Sequence, residues 1–137
     1  EEGAVIKERA VPMAQGTVVE VRRLFGNIPA RKKFLKADRT EATKCREVIE
    51  GMALAHPAVS FSLKIDEKEV LRFPKAPDIT TRAQSVFESR GVKIGPFPFD
   101  DGIQVEGYLL TPDETHRQAR GQLTILVNRR VVSDKVI

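Results

Sequence analysis

Residues 58–66 alternate with a period of two: Val59, Phe61, Leu63 and Ile65 fall on one side, Ser60, Ser62 and Lys64 on the other. A pleated strand places every second side chain on the same face, so this segment reads as a half-buried strand. The stretch before it has a different rhythm. Within residues 39–55, Ala42, Cys45, Ile49 and Met52 recur at helical spacing and define an apolar helix face. Asp38, three residues before Glu41, supplies a capping arrangement at its start. His56-Pro57 ends the helix, because the residue before a proline is pushed out of α geometry. A helix that hands over directly to a half-buried strand confines the chain to folds in which helices pack on a sheet.

The remaining segments fit that frame. Residues 4–11 and the β-branched run 17–23 read as strands, with a turn over Pro12 to Gly16 between them. Asn27 caps a short helix over residues 30–37, with Pro29 tolerated in its first turn. Asp66-Glu67-Lys68 is a turn leading to a partner strand at 69–73, and Lys75 to Asp78 is a loop. Ile79, Ala83, Val86 and Phe87 mark an amphipathic helix over 79–89, with Gly91 as its C-cap glycine. Residues 96–102 read as a loop into a strand at 103–110, whose Ile103, Val105 and Leu109 share a face. A polar hairpin loop over 111–120 leads to a last strand at 121–128, with Leu123, Ile125 and Val127 aligned. The order β-β-α-α-β-β-α-β-β predicts an α+β, two-layer domain: a mainly β sheet with helices on one face.

With 137 residues the chain fits one domain. One cysteine excludes an internal disulfide framework and any multi-cysteine zinc site, and only His56 and His116 add metal-ligand chemistry. No apolar run approaches the ~20 residues of a membrane span, and no signal-peptide pattern opens the chain, so a cytosolic protein is expected. The chain begins Glu1-Glu2-Gly3 and stops just after Ser133-Asp134, a helix N-cap pattern, so it reads as a piece excised from a longer protein.

The net charge of +4 is unevenly spread. Arg22, Arg23, Arg31, Lys32, Lys33 and Lys36 fall within residues 22–36, which contain no acid, so the rest of the chain is net acidic. A local basic patch is the electrostatic footprint of phosphate binding, or else a solvated face with carboxylates folded opposite. Arg129-Arg130 form a second basic pair after Asn128, at the end of a strand. Catalytic options are few. His56 adjoins a helix end, His116 lies in a polar loop, Cys45 sits on an apolar helix face, and Asp100-Asp101-Gly102 is turn chemistry. No nucleotide-binding glycine motif is present.

The stretch Leu24-Phe25-Gly26-Asn27-Ile28-Pro29-Ala30-Arg31-Lys32-Lys33-Phe34-Leu35 resembles the L-F-x-N-x-P-A-R-x-K-F-L signature of the MutL family of DNA mismatch repair proteins. Gly16-Thr17-Val18-Val19-Glu20-Val21 precedes it at family-like distance. Ala53-Leu54-Ala55-His56-Pro57-Ala58-Val59-Ser60-Phe61 is similar to the family's A-L-x-H-P-x-V-x-F, and Val127-Asn128-Arg129-Arg130-Val131-Val132 to its V-N-G-R-x-V. These landmarks span nearly the whole chain in order.

The resemblance implies that residues 1–137 are a single transducer domain, the second domain of a gyrase-, chaperone-, kinase- and MutL-type ATPase region, with a ribosomal-protein-like fold. ATP and Mg would belong to the parent protein, with no cofactor or metal in this fragment and no catalysis by it alone. The family's lysine that reaches the ATP γ-phosphate would lie past Ile137. Implied partners are DNA, a mismatch-recognition protein, other repair factors and a second copy of the parent, with no membrane, in a bacterial cytosol. The parent has an endonuclease in some family members. Arg130 would inherit the family's DNA-supporting arginine, with Asn128 and Arg129 beside it, although Arg129 replaces the family's glycine. Asn27, Pro29, Ala30 and Arg31 would form a domain-coupling motif, and Arg31, Lys32 and Lys33 are also candidates for DNA contact. The alternative is an RNA- or protein-binding module of the same fold without ATP coupling, with Phe97 and Phe99 as exposed anchors in the protein-binding case.

Overall fold

A computed structural model describes residues 7–10, 12–98, 102–111 and 123–132. The chain divides into two compact units, Glu1–Leu35 and Lys36–Ile137.

In the first unit, residues 7–10 and 17–22 form no strand; the rest of the 4–11 expectation lies outside the described residues. Val18, Val19 and Val21 are exposed. β-propensity measures how well a side chain fits a pleated, half-buried surface, and among the described residues no partner strand supplies one here. The chain then makes two linked turns. The Gly26 N–H donates to the Arg23 carbonyl at 2.7 Å, and that of Ile28 to Phe25 at 3.0 Å. Arg23 and Phe25 adopt left-handed φ values of 51° and 57°. Helix α1 (Pro29–Lys32) is a single turn, shorter than the expected 30–37. Its N-cap is Ile28 rather than Asn27 and makes no side-chain capping bond, so nothing offsets the cost of nucleating a longer helix.

The second unit begins with α2 (Asp38–Ala55). Ala37 is its N-cap, and the anticipated Asp38 cap does not form; instead Glu41 Oε1 accepts the Lys36 N–H at 2.7 Å. The buried face of α2 comprises Gly51, Ala53, Leu54 and Ala55, while Cys45 and Met52 are exposed. The predicted apolar stripe therefore turns about its axis toward the helix C-terminus.

Strands β1 (Phe61–Ile65) and β2 (Lys68–Phe73) pair antiparallel across a two-residue turn, and Phe61, Leu63 and Ile65 are half-buried as the alternation requires. Helix α3 (Ile79–Phe87) is N-capped by Asp78, which accepts the Thr81 N–H at 2.8 Å. It ends at Glu88, which takes the left-handed conformation (φ 50°) expected of Gly91. α2 and α3 pack on each other, α2 also on β1 and α3 on β2. Ala53, Leu71 and Phe73 form the core, flanked by Ile49, Phe61, Leu63 and Val86. Burying Leu71 and Phe73 contributes about 1.5–3 kcal/mol each.

Gly91 instead opens β3 (Gly91–Pro98), which runs through part of the segment read as a loop and pairs with β4 (Gln104–Leu110). A Cβ at Gly91 would strike the Leu109 carbonyl and the Tyr108 ring, so glycine here permits close strand approach. The register shifts between Ile94 and Phe97, where Pro96 has no N–H to give to a ladder. Tyr108 stacks on Phe87 with centroids 6.4 Å apart, and its hydroxyl donates to the Ser89 carbonyl at 3.1 Å. Val105 and Leu109 on β4, and Ile103 just before it, are exposed rather than core.

Strands β5 (Ile125–Val127) and β6 (Arg130–Val132) form a third hairpin, and β6 packs on α2. β6 was not foreseen, and β5 is shorter than residues 121–128, of which 121 and 122 lie outside the described residues. The α+β class stands, with the described strands paired as three two-stranded antiparallel ladders.

Candidate nucleic-acid interface

The β5–β6 hairpin brings Asn128, Arg129 and Arg130 together. Val127 pairs with Arg130, leaving Asn128-Arg129 as a two-residue loop. Both loop residues have positive φ, 49° and 63°, as a type I′ turn requires to match the twist of its strands. Arg129 therefore occupies a glycine-type conformation with its side chain retained; left-handed geometry costs an ordinary L-residue about 1–2 kcal/mol. Arg129 and Arg130 are exposed, and neither makes an ion pair among the described residues. Two guanidinium forks on a two-residue turn are suited to phosphate oxygens.

The first unit carries the other cluster. Arg31 and Lys32 lie in α1 and Lys33 is its C-cap, all exposed. Pro29 and Ala30 open that helical turn, and Asn27 lies in the turn before it. Arg22 is held by Glu20 at 2.7 Å, whereas Arg23, Arg31, Lys32 and Lys33 have no ion pair among the described residues.

Among the described residues the catalytic alternatives do not gather into a site. His56 is the exposed C-cap of α2, Cys45 is exposed, and His116, Asp100 and Asp101 lie outside the described residues, as does Phe99. Phe97 is half-exposed on β3. Among the described residues no cluster of acidic, His and Cys side chains is arranged to hold a metal, and no helix is long and apolar enough to cross a membrane.

Sequence reasoning missed Arg82. It is fully buried on α3, where it fills the i+3 slot of the apolar face running Ile79, Ala83, Val86. Its Nη2 donates to the carbonyls of Pro57 and Val59, both at 2.7 Å, and its guanidinium lies 5.7 Å from the centre of the Phe73 ring. Burial lowers its pKa from the ordinary guanidinium value. Pro57 O also accepts the Ala76 N–H at 2.8 Å. The His-Pro turn is thereby tied to α3, and the signal available in the sequence was a charge standing in an apolar stripe.

No family model matches the chain. The DNA mismatch repair protein MutL of Rhodopseudomonas palustris (strain BisB5) is 39% identical over 133 residues, covering 91% of this chain and 22% of that protein. The protein of the same name from Thermodesulfovibrio yellowstonii is 37% identical over 134 residues, covering 96% and 24%. The chain thus spans about a quarter of the length of such relatives or less. Among solved structures, the Aquifex aeolicus MutL ATPase domain complexed with ADP matches with a TM-score of 0.68 and 29% identity, over 85% of this chain and 43% of that one.

Proposed function

Because the chain belongs to the MutL family of DNA mismatch repair proteins, we propose that it is the transducer domain of a mismatch repair ATPase, coupling ATP-driven dimer closure to DNA binding and partner engagement. The observation that carries this reading is the β5–β6 turn: two exposed arginines, free of ion pairs among the described residues, lie within the stretch that resembles V-N-G-R. Asn128, Arg129 and Arg130 contact phosphate rather than bases, so binding is largely independent of sequence. On the first unit, Arg31, Lys32 and Lys33 are separate candidates for phosphate contact, and Asn27, Pro29, Ala30 and Arg31 form the coupling segment to the ATPase part. ATP with Mg binds in the parent protein, which acts as a homodimer with a mismatch-recognition protein and other repair factors in a bacterial cytosol. The fragment itself supplies no catalytic group.

Titration of a labelled DNA duplex against the chain at increasing salt tests this. Binding is expected to be weak and salt-sensitive, and Arg130→Glu lowers the slope of log affinity against log salt by about 1. Binding indifferent to salt or to Arg130→Glu overturns the DNA contact. Metal-dependent ATP turnover by the pure chain overturns the division of labour.

A further inference from the structure

Helix α2 contains one glycine in its last two turns, Gly51, and it is buried. Glycine in a helix interior is a poor choice by propensity, so a local reason for it is sought in packing. A Cβ placed on Gly51 would lie 2.6 Å from Val131 Cγ2, and its next nearest atoms, at 3.7 and 3.9 Å, are also in the Val131 side chain. Gly51 is the seat on which β6 rests.

That seat matters because the hairpin is short and β6 packs on α2. Each strand is three residues long. An isolated two-stranded hairpin is marginal at best in water and needs a surface to pack on. The turn also carries a non-glycine residue at φ 63°. A short ladder closed by a strained turn keeps its geometry through its docking on α2.

We propose that Gly51 is a positioning residue for DNA binding: by admitting Val131 against the helix backbone it fixes the hairpin that presents Arg129 and Arg130. The inference rests on the reading of that hairpin as a DNA contact. Gly51 touches no DNA; it acts through Val131, the neighbour of Arg130. Gly51→Ala improves the helix former but drives a methyl into a β-branched side chain whose only torsion is stiff in a strand. The hairpin then lifts or slips while α2 persists.

Three variants of the full chain decide it: Gly51→Ala, Arg130→Glu, and the double variant Gly51→Ala/Val131→Ala. In the double variant both Cγ methyls of residue 131 are gone while the helix gains one Cβ, and the nearest remaining contact is the 3.7 Å spacing to the residue 131 Cβ, an ordinary van der Waals distance. Cross-strand nuclear Overhauser contacts between Leu126 and Val131 (residue 131 in the double variant) report hairpin geometry, and duplex titrations report binding. Gly51→Ala is expected to keep the helical circular dichroism, weaken the cross-strand contacts and reduce duplex affinity roughly tenfold, with a salt slope lower by about 1–2. The double variant restores both readouts, which a general loss of stability would not do. Unchanged cross-strand contacts in Gly51→Ala, or no rescue in the double variant, overturns the positioning role. If Arg130→Glu leaves binding intact, the DNA reading fails on its own, and with it the coupling to binding; the cross-strand contacts still decide whether Gly51 fixes the hairpin.

Discussion

Arg82 donates to the carbonyl of Val59 at 2.7 Å from a position with no solvent exposure, and no carboxylate among the described residues pairs with it. A buried cation is held by two carbonyls and an aromatic face in place of an anion. Replacing it with Met keeps most of the volume and removes the desolvated charge, but leaves the Val59 carbonyl without this donor. Losing a hydrogen bond from a charged donor costs about 1.5–3 kcal/mol, and Arg82→Met is expected to fall in or below that range in urea unfolding, because Val59 is partly open to water. Arg82→Ala adds a cavity and costs more. A neutral or stabilising Arg82→Met would show that the latch is dispensable.

Arg129→Gly removes the left-handed penalty at φ 63° and completes an Asn-Gly type I′ turn. The gain is offset in part by the extra freedom of glycine in the unfolded chain, leaving a stabilisation of about 0.5–1 kcal/mol. The same variant loses a cation and weakens duplex binding. Stability and binding are therefore expected to move in opposite directions, measured by denaturant midpoint and duplex titration.

Glu67→Gly is the matched control. Asp66 and Glu67 close the β1–β2 hairpin with φ 49° and 61°, the same pair of left-handed residues. A similar stabilisation of about 0.5–1 kcal/mol is expected, with no loss of DNA affinity, since the change removes an acid.

Asp78 caps α3, and its carboxyl pKa lies below the ordinary carboxylate value, first because it accepts the Thr81 N–H and despite partial desolvation. A depressed folded pKa means that the ionised form is preferred in the native state. Its contribution is complete above the unfolded value and is lost as pH falls through the lower folded one. Asn caps without titrating. The stability difference between the chain and Asp78→Asn should therefore shrink as pH is lowered below about 4, in urea midpoints across an acid series; a constant difference would exclude the ionised cap.

Cys45 is exposed on α2. It is expected to react with a thiol reagent in the native state without denaturant, since access rather than unfolding limits the reaction.

The parts of the fold that were legible in the sequence were those with a buried face and a strict period. Phe61, Leu63 and Ile65 had both, and they form a strand, although it is shorter than residues 58–66 and Val59, read on the same face, is exposed. Val18, Val19 and Val21 have the same composition but no described partner, so the same signal misled. Left-handed residues were harder. Glu88 caps α3 in place of Gly91, and Phe25 takes positive φ next to Gly26, because local hydrogen bonding and strand approach decide these positions more than residue type. At the candidate interface, Arg129 and Arg130 stood out as charge after a strand, yet the three-residue β6 that carries Arg130 was too short to give a pattern. Arg82 showed only as a charge in an apolar stripe and Gly51 left no periodic trace, since their roles depend on a partner brought from elsewhere in the chain.

Each described ladder joins strands that are neighbours in sequence, and two of the three turn within two residues. The loops that must close are short, so little chain entropy is lost before pairing is rewarded, and topologies of this kind fold fast for their size. Locality has a second effect. A hairpin that does not depend on distant strands can open alone, and amide exchange near Arg130 can run well ahead of exchange at Leu71 without the rest of the unit unfolding. Re-closing then returns Val131 to its seat on Gly51, so the turn regains one geometry without the core having moved.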